Sequence, residues 1–338
     1  MMHTLIKITA FCALPFLLRG NVSAQTHKPV TVIFDTDIGN DIDDVLALSM
    51  LYTYQQAGRI DLKAITVSKA HPYAVAFTDL MNRYNKMGNI PIGYVGAKGA
   101  TPDSGLYTGQ TLGYREQGKK VFTANLQLAD QVPEAYKLQR KVLGAAPDGS
   151  VVMIVVGFST NIARLLASGK DEYSNLSGRE LVAKKVKKLY MMAGMFGDNP
   201  FPEYNVVEDS SAARIVFEQW PGKVVTSGFE VGARIHFPAK ALIRSFPQLW
   251  DHPMVNAYFH YIKMPYDRET WDLTSVLHAV EGDKHYFRES AAGVVKIAPD
   301  GKSTFSEQAG GKHHILFLDE NKIAPIIHRF VQTVGGHY

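Results

Sequence analysis

"VTVIFDTDIGNDIDDVLAL", residues 30 to 48, runs from a β-branched and aromatic series into a dense acidic turn and out again into an apolar series. A short apolar run closed by a glycine-containing turn and followed by helical spacing is the opening of a strand–loop–helix unit. The helical spacing spans "DDVLALSMLYTYQQAG" (43–58), with Gly58 as its stop. Five aspartates, Asp35, Asp37, Asp41, Asp43 and Asp44, fall within ten positions. Asp35 and Asp37 come where the strand ends, Asp43 and Asp44 where the helix begins, and Gly39 permits the tight turn between them. In a parallel sheet that is the end of the strand where ligands bind.

The same rhythm repeats along the chain. Strands are predicted at "LKAITVS" (62–68), "IPIGYVG" (90–96), "VVMIVVG" (151–157), "KLYMMAG" (188–194) and "KVVTSG" (223–228). Helices are predicted at 73–88, around 129–146, at 161–169 and at 210–220. This alternation predicts an α/β fold, a mostly parallel central sheet with helices on both faces, in a single domain from residue 25 to 338. Residues 97–127 and 229–270 lack the rhythm and read as long loops or lids. Residues 283–314 read as a hairpin turning at "PDG" (299–301). "KKVKK" (184–188) reads as a solvated edge.

The first 24 residues belong to a different category. Lys7, an apolar stretch from Ile8 to Leu18, and the small pair Ser23–Ala24 have the layout of a secretory signal peptide cleaved after Ala24. A membrane span needs about 20 apolar residues, and this run stops at Arg19, so no stable membrane anchor is expected. The only cysteine, Cys12, lies inside the leader, which leaves a mature chain without disulfides, exported to the periplasm or beyond. The leader holds Lys7 and Arg19 and no acid, so its removal lowers the formal charge from +4 to +2. That balance is too weak to imply a nucleic-acid partner.

The acidic turn demands a counter-charge. A helix N-terminus stabilises one anion by about 0.3–1 kcal/mol, far short of what five carboxylates cost. Oxygen ligands without a nearby Cys or His cluster select Ca²⁺ or Mg²⁺ rather than zinc. An EF-hand loop counted from Asp35 needs Gly sixth and Glu twelfth, where the chain has Asn40 and Leu46. A phosphatase of the haloacid-dehalogenase type also opens with Asp-x-Asp but needs a later Gly-Asp-x-x-x-Asp; "GDNPFP" (197–202) and "GDKHYF" (282–287) lack the second acid. An acidic cap without a metal accounts for one or two aspartates and not five.

"DTDIGNDIDD" (35–44) resembles the N-terminal signature of the inosine-uridine type nucleoside hydrolases, with two extra residues before the final pair. Three further blocks follow in the family's order: "FSTNIARLL" (158–166), "LYMMAGMFGDNPFPEYNVVEDSSAARIVF" (189–217) and "TWDLTSVLHAV" (270–280). The resemblance implies calcium-dependent hydrolysis of the N-glycosidic bond of a nucleoside or related riboside, giving ribose and free base. It implies Ca²⁺ held by Asp37, Asp44, Asp272 and the main-chain carbonyl of Thr160, with Asp43 as general base. Glu203 and Asn205 match residues that grip the ribose hydroxyls, with Met192 lining the same pocket and Asp35 supporting the site from behind. Asn161 is expected to cap a helix and Asp209 to open the one at 210–220. Relatives form dimers or tetramers, so a homodimer or homotetramer is implied.

The chain also departs from the pattern. Trp271 stands where many members have a His, and an indole can stack on a base but not protonate it. His71 in "SKAHP" stands near the place of an expected Asn, so both Trp271 and His71 count as candidate substrate contacts. No His occurs in 97–127. The inserted Asn40–Asp41 either reshapes the turn or puts Asp41 behind the ligands. The alternatives to a nucleoside hydrolase are an exported sugar- or riboside-binding protein on the same scaffold and a hydrolase of another glycoside.

Overall fold

The computed structural model describes residues 28–100, 106–126, 131–246 and 249–338. The expected leader, 1–24, lies outside these. Strand β1 (Val30–Thr36) leads through the acidic turn into α1 (Asp43–Gln56), then β2 (Ile60–Val67), α2 (Ala74–Tyr84) and β3 (Ile92–Tyr94). After α3 (Leu106–Gly113) and the short hairpin β4 (Arg115–Glu116) and β5 (Lys119–Lys120), α4 (Ala135–Ala145) returns the chain to β6 (Val151–Val155). Helices α5 (Thr160–Ala167) and α6 (Gly178–Lys185) precede β7 (Val186–Met192), and α7 (Tyr204–Val207) and α8 (Ser210–Gln219) precede β8 (Val224–Ser227). Then come α9 (Phe229–Gly232), β9 (His236–Phe237), α10 (Ala239–Ser245), α11 (Pro253–Tyr261), β10 (Arg268–Glu269) and α12 (Trp271–Glu281). The chain finishes with β11 (Arg288–Glu289), β12 (Gly293–Ile297), β13 (Ser303–Glu307), β14 (His313–Phe317) and α13 (Ile323–Val334).

The main sheet runs β13-β12-β14-β8-β7-β6-β1-β2-β3, with β11 paired to β14. From β3 to β14 every neighbour is parallel; β11, β12 and β13 join antiparallel. Side-chain alternation sorts the strands onto two layers. Val32, Phe34, Ile154 and Met192 pack with α1, α2, α11, α12 and α13 on one face. Ile33, Met153, Val155 and Met191 pack with α4, α5, α6 and α8 on the other. The predicted α/β architecture therefore holds.

β1 lies between β2 and β6, where the order of strands reverses direction, so the end of β1 opens onto the crevice that such sheets use for ligands. The acidic turn occupies that point.

Two expectations are corrected. Residues 97–127 and 229–270 are not simply loops: their described parts hold α3, β4 and β5, and α9, β9, α10, α11 and β10. These elements are short, four to nine residues in the helices, and too brief for a hydrophobic period to register. α3 is anchored by buried Tyr107, Thr108 and Thr111, polar types that conceal an inward face. The helix expected around 129–146 is observed from Ala135; residues 127–130 lie outside those described. The hairpin turning at 299–301 is present as β12 and β13, and the terminal α13, unforeseen, covers Tyr54 and α1. No helix among the described residues is long and apolar enough to cross a membrane.

Candidate active site

β1 delivers Asp35 and Asp37 on one side of the crevice, and the first turn of α1 delivers Asp43 and Asp44. Gly39, at φ +117°, sits in a region closed to most side chains, and its amide donates to the Tyr107 hydroxyl from α3 at 2.8 Å. That hydroxyl donates to the Asp41 carbonyl at 2.9 Å, so α3 pins the inserted segment from outside. α12 brings in the last acid: the Asp272 amide, in its first turn, donates to Asp43 Oδ2 at 3.0 Å.

Carboxylate oxygens of Asp43, Asp44 and Asp272 lie within 4.8 Å of one another, and all three residues are buried. Thr36 donates its hydroxyl to Asp44. Burial first, and then the neighbouring carboxylates, pushes Asp43, Asp44 and Asp272 well above the usual carboxylate range. Burial lifts Asp37 to about 7 against the opposing pull of Asn40 and Lys69. An all-oxygen donor set that is this destabilised when ionised fits a hard divalent cation, whose charge would offset the repulsion.

The inserted residues divide two tasks. Asn40 donates to Asp37 and accepts from Lys69, a lysine wholly shielded from solvent. Asp41 is gripped at both oxygens by Arg268 of β10, with the Nε contact at 2.9 Å. Arg268 also binds Glu269 at 3.0 Å, and its guanidinium lies 5.0 Å from the Trp271 ring centre and 5.2 Å from that of Tyr261. The inserted pair thus puts Asn40 between Asp37 and Lys69, and Asp41, paired with Arg268, in the cavity lining.

Glu203, which also lines the cavity, caps α7. Its carboxylate accepts the amides of Asn205 at 3.0 Å and Gly194 at 2.9 Å, while burial lifts its pKa to about 7. Asn205 spends its side-chain NH₂ on the Val156 carbonyl, at 2.8 Å, and on Met192. Behind β1, Asp35 Oδ2 accepts from Thr66, Asn161 and Gln139, a cluster that fixes the strand end carrying Asp37. Burial raises Asp35 to about 7 as well.

These groups enclose a cavity of about 270 Å³ lined by Asp37, Asn40, Asp41, Asp43, Asp44, Val156, Met192, Glu203, Tyr204, Asn205, Phe229, Tyr261, Trp271 and Asp272. Nine residues expected from sequence meet there: Asp37, Asp41, Asp43, Asp44, Met192, Glu203, Asn205, Trp271 and Asp272. Asp35 stands behind them. Thr160 begins α5 with its hydroxyl on Asp209 at 2.7 Å, and its side chain does not line the cavity. His71 is not among the lining residues either: its ring packs edge-on against Tyr73, and its Nδ1 accepts the Tyr73 amide at 3.3 Å. Asn161 is not a cap. It lies inside α5 and reaches Asp35 at 2.8 Å, because the helix starts one residue earlier than its motif suggests. Asp209 does open α8, but its carboxylate turns across to Thr160.

Sequence reasoning missed Phe229, Tyr261, Arg268, Lys69 and Tyr107. All but Lys69, which directly follows β2, come from stretches without period, and only the run "KMPYDRETWD" (263–272), charged and aromatic beside the last acid, carried a visible signal.

A family model described as inosine-uridine preferring nucleoside hydrolase matches residues 32–314. No protein of curated function gives a match. Among solved structures, a plant nucleoside hydrolase superposes with a TM-score of 0.67 at 18% identity, covering 90% of this chain and 99% of its own. A purine-preferring ribonucleoside hydrolase from Gardnerella vaginalis gives 0.68 at 16%, with 90% and 98% covered. An inosine-uridine preferring nucleoside hydrolase from Bacillus anthracis gives 0.63 at 14%, with 90% and 99% covered. At such identities the structural likeness speaks for the fold alone.

Proposed function

Because the chain belongs to the inosine-uridine preferring nucleoside hydrolase family, N-ribosyl hydrolases, we propose that it uses calcium to hydrolyse a ribonucleoside or related riboside into ribose and free base. The observation that carries this is one cavity lined by three convergent buried carboxylates together with the Glu203–Asn205 pair. An N-glycosidic bond breaks through a ribosyl cation, which needs negative charge around the sugar and an activated water on one face.

Asp37, Asp44, Asp272 and the main-chain carbonyl of Thr160 would hold the ion. When bound, calcium binds vicinal hydroxyls and lowers the pKa of water. Asp43 takes the proton from the attacking water: the Asp272 amide engages one of its oxygens, and the other remains for water. Glu203 and Asn205 fix the ribose, so orientation is supplied before the bond breaks. Asp35 holds the end of β1 in place through its three donors.

A second distribution of roles is favoured by one distance. The acids close enough to share an ion through their side chains are Asp43, Asp44 and Asp272, and Asp37 is not in that group. In this version Asp43 ligates, and Asp37, steadied by Asn40, takes the proton. Asp37→Asn and Asp43→Asn separate the two when bound calcium and ribose release are both measured. The base is the residue whose variant keeps the metal and loses turnover by a factor on the order of 10³. Full turnover in both variants refutes both versions.

Export completes the proposal: a mature chain beginning at Gln25, as a homodimer or homotetramer. Mass spectrometry of the protein recovered from secreting cells reads the first point, and light scattering the second; retained residues 1–24 or a monomer would overturn them.

A further inference from the structure

Asn40 reaches the cavity from the inserted pair of residues that the family signature lacks, and its side-chain amide has two fixed partners. Such an amide offers two N–H groups and two oxygen lone pairs. Nδ2 donates to Asp37, and Oδ1 accepts from Lys69. A lysine ammonium has donors and no acceptor, so it can face only the oxygen, and the amide is held against turning over. Among the described residues the Asn40 amide has no further partner. One N–H and one lone pair of a half-buried group are therefore left at the cavity wall.

The surroundings hold that orientation. Lys69 is wholly shielded from solvent, its main chain bridges to Ala100, and its stem runs beneath the turn, where a Cβ on Gly39 would stand 3.7 Å from its Cδ. Tyr107 clamps the same turn through the Gly39 amide and the Asp41 carbonyl. A side chain fixed from both sides loses little conformational freedom when a ligand arrives. Its chemistry also complements the other grip: Asn205 directs its NH₂ to Val156 and Met192, which leaves it an acceptor of hydroxyl protons. Asn40 adds a donor, and an amide N–H does not titrate.

We propose that Asn40 is a substrate-binding residue whose remaining N–H donates to one oxygen of the 2′,3′ hydroxyl pair of the ribose, and that Lys69 is the positioning residue that fixes the amide for this contact. This rests on the hydrolase reading above. Asn40 is bonded to Asp37 at the acidic end of the cavity, and the vicinal hydroxyls are the part of a riboside that a calcium bound there would draw in.

The test uses the calcium-saturated protein, with bound calcium measured, as wild type, Asn40→Ala, Lys69→Met and the double variant. The probes are inosine, uridine, 2′-deoxyinosine and 3′-deoxyinosine, compared by kcat/KM, or by Ki against inosine for an analogue that is not turned over. Asn40→Ala should weaken inosine and uridine alike by a factor on the order of 10, and one of the two deoxy analogues by less than about twofold, because that analogue has no hydroxyl to lose its donor. Lys69→Met should show the same selective pattern, and the double variant no further selectivity loss beyond Asn40→Ala. An equal loss on all four probes overturns the contact. A loss on inosine without one on uridine places the N–H on the base and overturns it too. Lost dependence on both hydroxyls together with lost calcium would mean that Asn40 acts through the ion, which also overturns it. A uniform loss in Lys69→Met beside a selective one in Asn40→Ala overturns the positioning role alone, and Asn40→Ala decides the contact even where Lys69→Met fails to fold. Release of base from neither inosine nor uridine by the wild type removes the hydrolase reading itself, and the inference with it.

Discussion

Calcium affinity should fall steeply as pH is lowered, at a rate set by the crowded carboxyls. The perturbation is acidification from pH 8 to pH 5. Burial lifts Asp37 from 3.8 to about 7, and burial with mutual repulsion also raises Asp43, Asp44 and Asp272 well above the usual carboxylate range. Without a cation, keeping Asp37 ionised at neutral pH costs about 4 kcal/mol, from about 1.4 kcal/mol per pH unit between 3.8 and 7. A carboxyl whose folded pKa is raised gives stability that is complete below 3.8 and lost as pH rises through about 7, so the ion-free protein weakens toward neutrality. Calcium cancels that loss, because the bound ion requires the ionised form. Below pH 7, binding must expel at least the Asp37 proton, so Kd rises about tenfold per pH unit, on the order of 10² between pH 7 and pH 5. Calorimetric titration at four pH values, in buffers of different ionisation enthalpy, reads both Kd and the protons released. The calcium-induced rise in Tm should grow with pH, by mass action on the native state. An affinity flat from pH 5 to pH 8, or a thermal shift larger at pH 5, would refute the reasoning.

Arg268→Met should strip Asp41 of its partner beside three other acids. The pair is mostly buried, with side-chain exposures of 17% and 24%, so the loss is about 2–3 kcal/mol, read by urea unfolding, and calcium recovers part of it. Arg140→Met should cost about 3–5 kcal/mol and leave kcat unchanged. It removes a buried guanidinium bound twice to Asp171 and to the Ser174 and Leu176 carbonyls, on the helix face away from the cavity; a loss below 1 kcal/mol would contradict that assignment. Gly39→Ala should cost about 1–3 kcal/mol, because φ +117° is strained for any side chain, and should raise KM by loosening the turn that Tyr107 pins. Glu203→Gln should raise KM for a riboside at least about tenfold, since one of its two amide donors would face an NH₂ group instead of an oxygen.

The acidic half of the site could be read along the chain because local chemistry places it. A strand that ends in Asp-x-Asp and a helix that opens in Asp-Asp must meet at one turn, whatever surrounds them, and sheet alternation carries both to the ligand-binding edge. Glu203 and Asn205 were legible only through the family resemblance; that Glu203 caps its own short helix came from the structure. Asn161 was misread because its partner, Asp35, is 126 residues away, and a residue one place inside a helix looks like the residue that caps it.

What the sequence by itself determined is a mostly parallel sheet and the acids gathered where its first strand ends, since these follow from period, turn chemistry and residue type. What only the tertiary structure decided is the aromatic wall of the cavity and the groups that support it. Phe229, Tyr261, Arg268 and Tyr107 come from short elements with no period, and they converge by packing across the sheet's end, where proximity depends on the whole fold and not on spacing. Packing alone turned the Trp271 N–H away onto a backbone carbonyl and gave Asp41 a cation from a strand 227 residues distant.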